Sequence, residues 1–183
     1  MTDLAEWMSA HGLTEMSFPG SEHSFVSGSA AHRPIRVSYR SCATAAAEGS
    51  LLAQQVAART GGKGQTKHAV LLLAEYCFTP LCQGPPGHAH GGSIAAALDE
   101  LMGGVGWING FPVLARKIEV DFVKPVKIGS SYYGCAAITS KTGRKLAMTA
   151  VVLDDQGVLV SAAEGLFIEL EKERLQALLG VAG

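Results

Sequence analysis

The sequence predicts an α+β fold in which an antiparallel sheet curls around one central helix. Two patterns carry that expectation. From Ser93 to Val105 apolar residues recur at helical spacing, and from Lys117 onward the pattern changes to alternation, followed by three apolar segments separated by turn-forming residues. One helix feeding consecutive strands joined by hairpins gives an antiparallel sheet with the helix on one face. The third observation concerns size: 183 residues, 48% of them hydrophobic and undivided by any low-complexity linker, suffice for a single domain with a sizeable core.

The first 66 residues are read as an extension packing on that domain, which itself occupies 67–183. Leu4 to Met8, with Leu13, can form a short amphipathic helix, and Ile35 to Tyr39 alternates as a strand at an edge. Ala43 to Arg59 favours a helix through Leu51, Leu52, Val56 and the surrounding alanines, ending at the turn Gly61-Gly62-Lys63-Gly64. That glycine cluster has neither the preceding strand nor the Lys-Ser/Thr ending of a phosphate loop and is read as a helix stop. The extension could cover the sheet, lengthen a ligand tunnel or pack in an oligomer. Lys67 to Phe78, with Val70 to Leu73 running together, is a strand entering the sheet.

The segment His88 to Glu100 is built for chemistry. Pro85, Pro86 and Gly87 break the incoming backbone, the Gly91-Gly92 pair permits a tight turn, and a helix then runs from about Gly92 to Ile108. Ile94, Leu98, Leu101, Val105 and Ile108 form one stripe facing the core. Asp99 lies away from the stripe, beside Ala95, Met102, Gly103 and Gly106, where the neighbouring side chains are small. Interior glycines cost a helix roughly 1 kcal/mol each against alanine, so Gly103, Gly104 and Gly106 require a packing or ligand reason. At the helix start the unpaired amides near Gly92 and Ser93 and the positive end of the dipole can hold a developing negative charge. About two turns on, Asp99 offers a general base or nucleophile, and the pair suits hydrolysis of an activated acyl group.

After the helix, Gly110-Phe111-Pro112 breaks the chain. Ile118, Val120 and Phe122 alternate with Lys117, Glu119 and Asp121, so one face of this strand is buried. Pro125 would remove a ladder donor and marks an edge, a bulge or the strand's end. Tyr132 to Thr139, Leu146 to Leu153 and Val158 to Leu170 are three further strands, joined by hairpins at Lys141-Thr142-Gly143 and Asp154-Asp155-Gln156-Gly157. A helix from Lys172 to about Leu179 closes the chain.

Composition limits the partners. The net charge is −1 with no long run of either sign, so neither nucleic acid nor an anionic membrane is expected as a ligand. No opening stretch combines a basic region, an apolar run and a cleavage site, and no segment reaches bilayer-spanning length; a soluble cytoplasmic protein is the expectation. Cys42, Cys77, Cys82 and Cys135 are scattered, and free thiols are expected. Cys77, Cys82, His88 and His90 could be imagined as zinc ligands, but their spacings fit no standard finger, and no metal is expected.

The run His90-Gly91-Gly92, followed by Asp99 nine residues after the histidine and then by Glu100 and Gly103, resembles the signature of hotdog-fold thioesterases of the 4-hydroxybenzoyl-CoA and phenylacetic-acid-pathway types. Arg116 to Gly129, with Phe122, Lys124-Pro125-Val126 and Gly129, resembles the strand that follows the central helix there, and the likeness spans about residues 68 to 170. It implies a hotdog fold, an acyl-CoA thioesterase needing no cofactor beyond the coenzyme A of its substrate, and a homodimer or dimer of dimers with the active site at the interface. Residue by residue, it implies Asp99 as the catalytic carboxylate, the Gly92 amide as binder of the carbonyl oxygen, and His90 as the group orienting the loop or thioester. Gly91 and Ser93 would line the substrate, and Arg116 and Lys117 lead the basic residues that could meet coenzyme A phosphates, ahead of Lys124, Lys127, Arg144 and Lys145.

One acid and two histidines receive no such role. Glu100, on another side of the helix from Asp99, is expected to pair with a cation or meet solvent, and His68 and His88 are read as structural or exposed. One position departs from the resemblance: many relatives carry a serine or threonine about ten residues before the proline of the following strand, and that place falls on Ala115. A non-catalytic acyl-ligand binding protein is therefore a second reading, and a hotdog dehydratase or hydratase a third.

Overall fold

The computed structural model describes residues 4–10, 13–16, 24, 26, 33–43, 47, 50–60 and 70–180. In chain order the elements are α1 (Leu4–Ala10), β1 (Thr14–Met16), β2 (Ile35–Ala43), α2 (Leu51–Arg59), β3 (Val70–Phe78), a 3-10 turn (Pro80–Cys82), α3 (Gly91–Ile108), β4 (Val113–Phe122), β5 (Ser131–Thr142), β6 (Lys145–Asp154), β7 (Leu159–Glu169) and α4 (Lys172–Leu179). The strands form one antiparallel sheet in the order β1-β2-β3-β5-β6-β7-β4. β4, although it follows α3 directly, crosses to the far edge and pairs with β7.

α3 lies on the inner face of the sheet. Leu98, Leu101, Met102 and Val105 are fully buried there against Leu72, Tyr76, Ile138, Met148 and Phe167, and Ile94 is nearly so. This is the predicted stripe, with Ile108 packed at its partly exposed end. The apolar run of β3 has a second cause: Leu72, Ala74, Tyr76 and Phe78 face α3, whereas Leu71 and Leu73 face the opposite side of the sheet, so both faces are covered.

α1 and α2 provide the outer cover. Leu4 and Met8 of α1 and Leu52 and Val56 of α2 bury against Leu71, Leu73, Tyr133, Cys135, Val151 and Leu153. The helix expected from Ala43 is realised as α2, which begins after Ser50 because the Ser50 hydroxyl accepts from Ala53 N–H at 3.2 Å. Ala43 instead pairs with Val70 in the sheet. β2 is not an edge strand as expected; β1 occupies that edge and pairs Thr14 to Met16 with it. The glycine turn at 61–64 and His68 lie outside the described residues.

The turn chemistry works as expected. Gly143 and Gly157 adopt φ of 57° and 78° in the two hairpins, and the Asp154 carboxylate accepts from the amides of Gln156 and Val158. β4 ends at Phe122, before Pro125. None of the helices among the described residues is long and apolar enough to cross a membrane.

Candidate functional site

α3 starts from a tightly pinned loop. His90 N–H donates to the Cys82 carbonyl at 2.7 Å and Ala89 N–H to the Val126 carbonyl at 2.8 Å, so the chain enters the helix with a fixed orientation. His90 is the N-cap, and its Nδ1 accepts from Gly92 N–H at 2.9 Å. An accepting Nδ1 puts the proton of the neutral ring on Nε2, which leaves that nitrogen as a donor on an exposed side chain.

This arrangement bears on one sequence expectation. The Gly92 amide was expected to bind a carbonyl oxygen, yet it is spent on His90. Ser93 and Ile94 donate to the His90 carbonyl at 2.9 and 3.3 Å. Of the first four helix amides only that of Gly91 has no acceptor among the described residues. Ser93, expected to line the substrate, is buried, with its hydroxyl at the Cys82 thiol.

Asp99 stands half-buried on α3, with no hydrogen bond or ion pair among the described residues. Burial pushes its carboxyl above the usual range, and the negative charge of the adjacent Glu100 adds to the effect. Ala95 and Gly103, one turn to either side, are likewise half-buried. The sequence placed Met102 and Gly106 beside them, but both are buried in the core. A Cβ on Gly106 would stand 2.7 Å from Val113 Cγ2 and 3.2 Å from the Phe111 carbonyl, so this glycine answers to packing under the start of β4 rather than to a ligand.

Glu100 neither meets a cation nor simply faces solvent, contrary to expectation. Tyr39 OH donates to its Oε1 at 2.7 Å, and the Ser24 hydroxyl donates to its Oε2. No local sequence signal could have shown this, because β2 reaches α3 across 61 positions. Phe122 shares the inward parity of Ile118 and Val120, as the alternation indicated, and its ring lies over the helix start, Cζ 3.3 Å from where a Cβ on Gly91 would stand, a place the sequence did not assign it.

Arg116 and Lys117 are both exposed on β4. The register with β7 shifts between Ala115 and Lys117, so Arg116 is the extra residue of a bulge, while Lys117 pairs with Glu119 at 2.6 Å. Ala115, the position expected to carry a hydroxyl in relatives, pairs with Phe167 just before that bulge. The four residues weighed as zinc ligands have other partners: Cys77 takes a hydrogen bond from Arg36, Cys82 donates to the Thr79 carbonyl, His88 contacts the Pro86 carbonyl and His90 caps the helix. Among the described residues no group of three or more His, Cys, Asp or Glu side chains could hold a metal ion.

Comparison with known proteins agrees with this geometry. Residues 86–161, which contain the loop, α3 and β4 to β6, match the thioesterase superfamily model. Acyl-coenzyme A thioesterase THEM4 of Bos taurus is 33% identical over 96 residues, 52% of this chain and 39% of the relative. The corresponding figures for THEM5 of Homo sapiens are 27% over 92 residues, 50% and 37%. The chain thus spans well under half the length of these curated relatives. A thioesterase superfamily protein of known crystal structure superposes with a TM-score of 0.52 at 25% identity, covering 54% of this chain and 49% of that one. The Escherichia coli PaaI protein superposes at 0.53 with 14% identity, covering 56% and 77%. A Streptococcus mutans protein crystallised bound to acetyl CoA also gives 0.53, with 18% identity, covering 56% and 82%. The sheet wrapped around α3 is a hotdog fold.

Proposed function

We propose that this chain, whose residues 86–161 match the thioesterase superfamily, hydrolyses an acyl-CoA or related acyl thioester to the free acid and thiol. The observation that carries the reading is Asp99: a half-buried carboxylate without a partner among the described residues, held more basic than usual, on the helix whose N-terminus leaves an amide without an acceptor among them.

The geometry of one chain favours Asp99 as a general base. Eight residue steps separate Gly91, whose amide has no acceptor among the described residues, from Asp99, a rise of about 12 Å along the helix. Direct attack on a carbonyl held at the helix start requires reacting atoms within about 3.5 Å, which the short aspartate side chain does not provide over that span within one chain, so Asp99 acts through water. Asp99 takes a proton from the water, the water oxygen bonds to the thioester carbon, and the carbonyl oxygen gathers negative charge against the Gly91 amide, with His90 Nε2–H as a neighbouring donor. Collapse breaks the C–S bond, and the departing sulfur takes the proton from Asp99. The scheme uses only protein groups and water.

A homodimer is part of this proposal. β4 is the terminal strand of the sheet, its outer edge is unpaired among the described residues, and Leu114, Phe122 and Val123 are each about half exposed along or just beyond it. A second copy added along this edge would cover them and bring another chain toward Asp99. We also propose a cytoplasmic setting, in which the free thiols stay reduced.

The test is release of free thiol from a panel of acyl-CoA esters by the wild-type chain, with its mass measured by sedimentation equilibrium. Turnover by a dimer is the expected result; tight ester binding without turnover would favour the binding-protein reading, which Ala115 supports. Arg116→Ala is expected to raise KM for acyl-CoA severalfold with kcat little changed and to leave a short pantetheine ester unaffected. Equal effects on both esters would remove the bulge from the phosphate site.

A further inference from the structure

α3 carries two successive acids, and the reaction above employs only the first. Consecutive helical residues point about 100° apart, so Glu100 turns away from the stripe of Ala95, Asp99 and Gly103 and toward β2. Both of its carboxylate oxygens are engaged there, Oε1 by Tyr39 OH at 2.7 Å and Oε2 by the Ser24 hydroxyl. The frame around it is rigid. Tyr39 is only 4% exposed, and its ring meets that of Tyr76 edge-on, with centroids 6.4 Å apart and planes at 88°. Tyr76 OH donates in turn to the Ala97 carbonyl of α3 at 3.1 Å, tying β3 to the turn that carries both acids.

Hydroxyl donors satisfy the lone pairs of a carboxylate without bringing a counter-charge. The titratable groups acting on this cluster are Tyr39 from β2, Tyr76 from β3 and Asp99 on the helix itself. Burial foremost, then neighbours including Glu100, holds the Tyr39 phenol protonated, as a donor must be. Among the described residues no lysine, arginine or histidine forms an ion pair with Asp99 or Glu100.

We propose that Glu100 is a positioning residue for the reaction: clamped by Tyr39 and Ser24 beside Asp99, with no ion-pair partner among the described residues, its negative charge strengthens Asp99 as a proton acceptor. The inference rests on Asp99 being the general base. In a half-buried setting the repulsion between like charges is poorly screened, so an ionised Glu100 makes Asp99 hold a proton more readily. A clamp is needed for the effect, since a free glutamate would swing into water, where its field is damped.

Glu100→Gln tests this, because the amide oxygen can still accept from Tyr39 and the amide nitrogen can donate to the Ser24 oxygen. Two readouts are taken on folded protein: the titration of side-chain carboxyl carbons by ¹³C NMR, with Asp99 identified by its loss in Asp99→Asn, and the pH profile of kcat/KM. The expected result is a lower titration midpoint for Asp99 and an acid limb displaced in the same direction, with the plateau rate reduced about threefold because a weaker base is acting. Tyr39→Phe, which releases the clamp but keeps the charge, is expected to move the midpoint the same way by less, and it serves as the test if Glu100→Gln does not fold. An unchanged or raised midpoint overturns the inference whatever the activity. A midpoint that falls in a protein inactive on every thioester would instead overturn the thioesterase reading and leave Glu100's hold on Asp99 standing.

Discussion

Asp99→Asn is expected to lower acyl-CoA hydrolysis by about 10²- to 10⁴-fold, the usual range for loss of a general base, without loss of folding. The side chain is half-buried and makes no hydrogen bond or ion pair among the described residues, so removing its charge breaks nothing. Stability should move the other way. Its carboxyl is raised in the folded chain, by burial first and by Glu100 second. A raised acid stabilises the fold fully only below its unfolded pKa, and that contribution is lost as pH rises through the folded value. At neutral pH the ionised Asp99 therefore costs stability, and Asp99→Asn is expected to melt at or above the wild-type temperature, the difference closing in acid. Thiol release and thermal melts from pH 3 to 8 check both statements. Undiminished turnover would move the chemistry to another residue, and a lower melting temperature at neutral pH would show Asp99 to be a structural acid.

The second large effect concerns the frame that holds Asp99. Leu101→Ala is expected to cost about 2–5 kcal/mol, as buried leucine truncations do, and to lower Tm by on the order of 10 °C for a domain of this size. Leu101 is fully buried between α3 and the sheet. Opposite it is Gly134 of β5, where a Cβ would stand 3.0 Å from Leu101 Cδ2 and 2.8 Å from Tyr76 Cε2. The leucine is thus fitted over a position kept bare for it, and the two sites should couple: Gly134→Ala, destabilising alone through the Leu101 and Tyr76 contacts, should cost less in the Leu101→Ala background. Denaturant melts of the two single variants and the double variant read the coupling, and strict additivity would show that the helix and sheet relax independently.

These two residues also show what was readable before folding. Leu101 belonged to a stripe that periodicity placed in the core, because the spacing of apolar residues on a helix follows directly from its 3.6-residue turn. Asp99 was legible for a related reason: its offset from that stripe, the small residues beside it and the loop upstream are all local. The hairpins at Gly143 and Gly157 and the strands they join were likewise written in short-range turn chemistry. Gly106 was left open between packing and a ligand, since a bare helix position signals a close approach without naming what approaches, and here it is Val113 after the chain has turned back. Helix starts leave amides open in general, but that the Gly92 amide is filled by His90 depends on how the His90 side chain folds back, which the sequence does not show.

Local pattern therefore determined the helix, the strands, their hairpins and the acid on which the proposed reaction turns, because each depends on residues a few positions apart. Tertiary structure decided three things that depend on distant segments meeting. It sent β4 to the far edge of the sheet, where its apolar residues stand open. It laid α1 and α2 on the outer face, which explains why β3 is apolar on both sides. And it brought Tyr39 and Ser24 onto Glu100, turning an acid that looked solvent-bound into the fixed neighbour of Asp99. Side-chain spacing along a chain is set by its own backbone geometry, whereas the partner of a side chain is set by which strands pair, and that is a property of the whole fold.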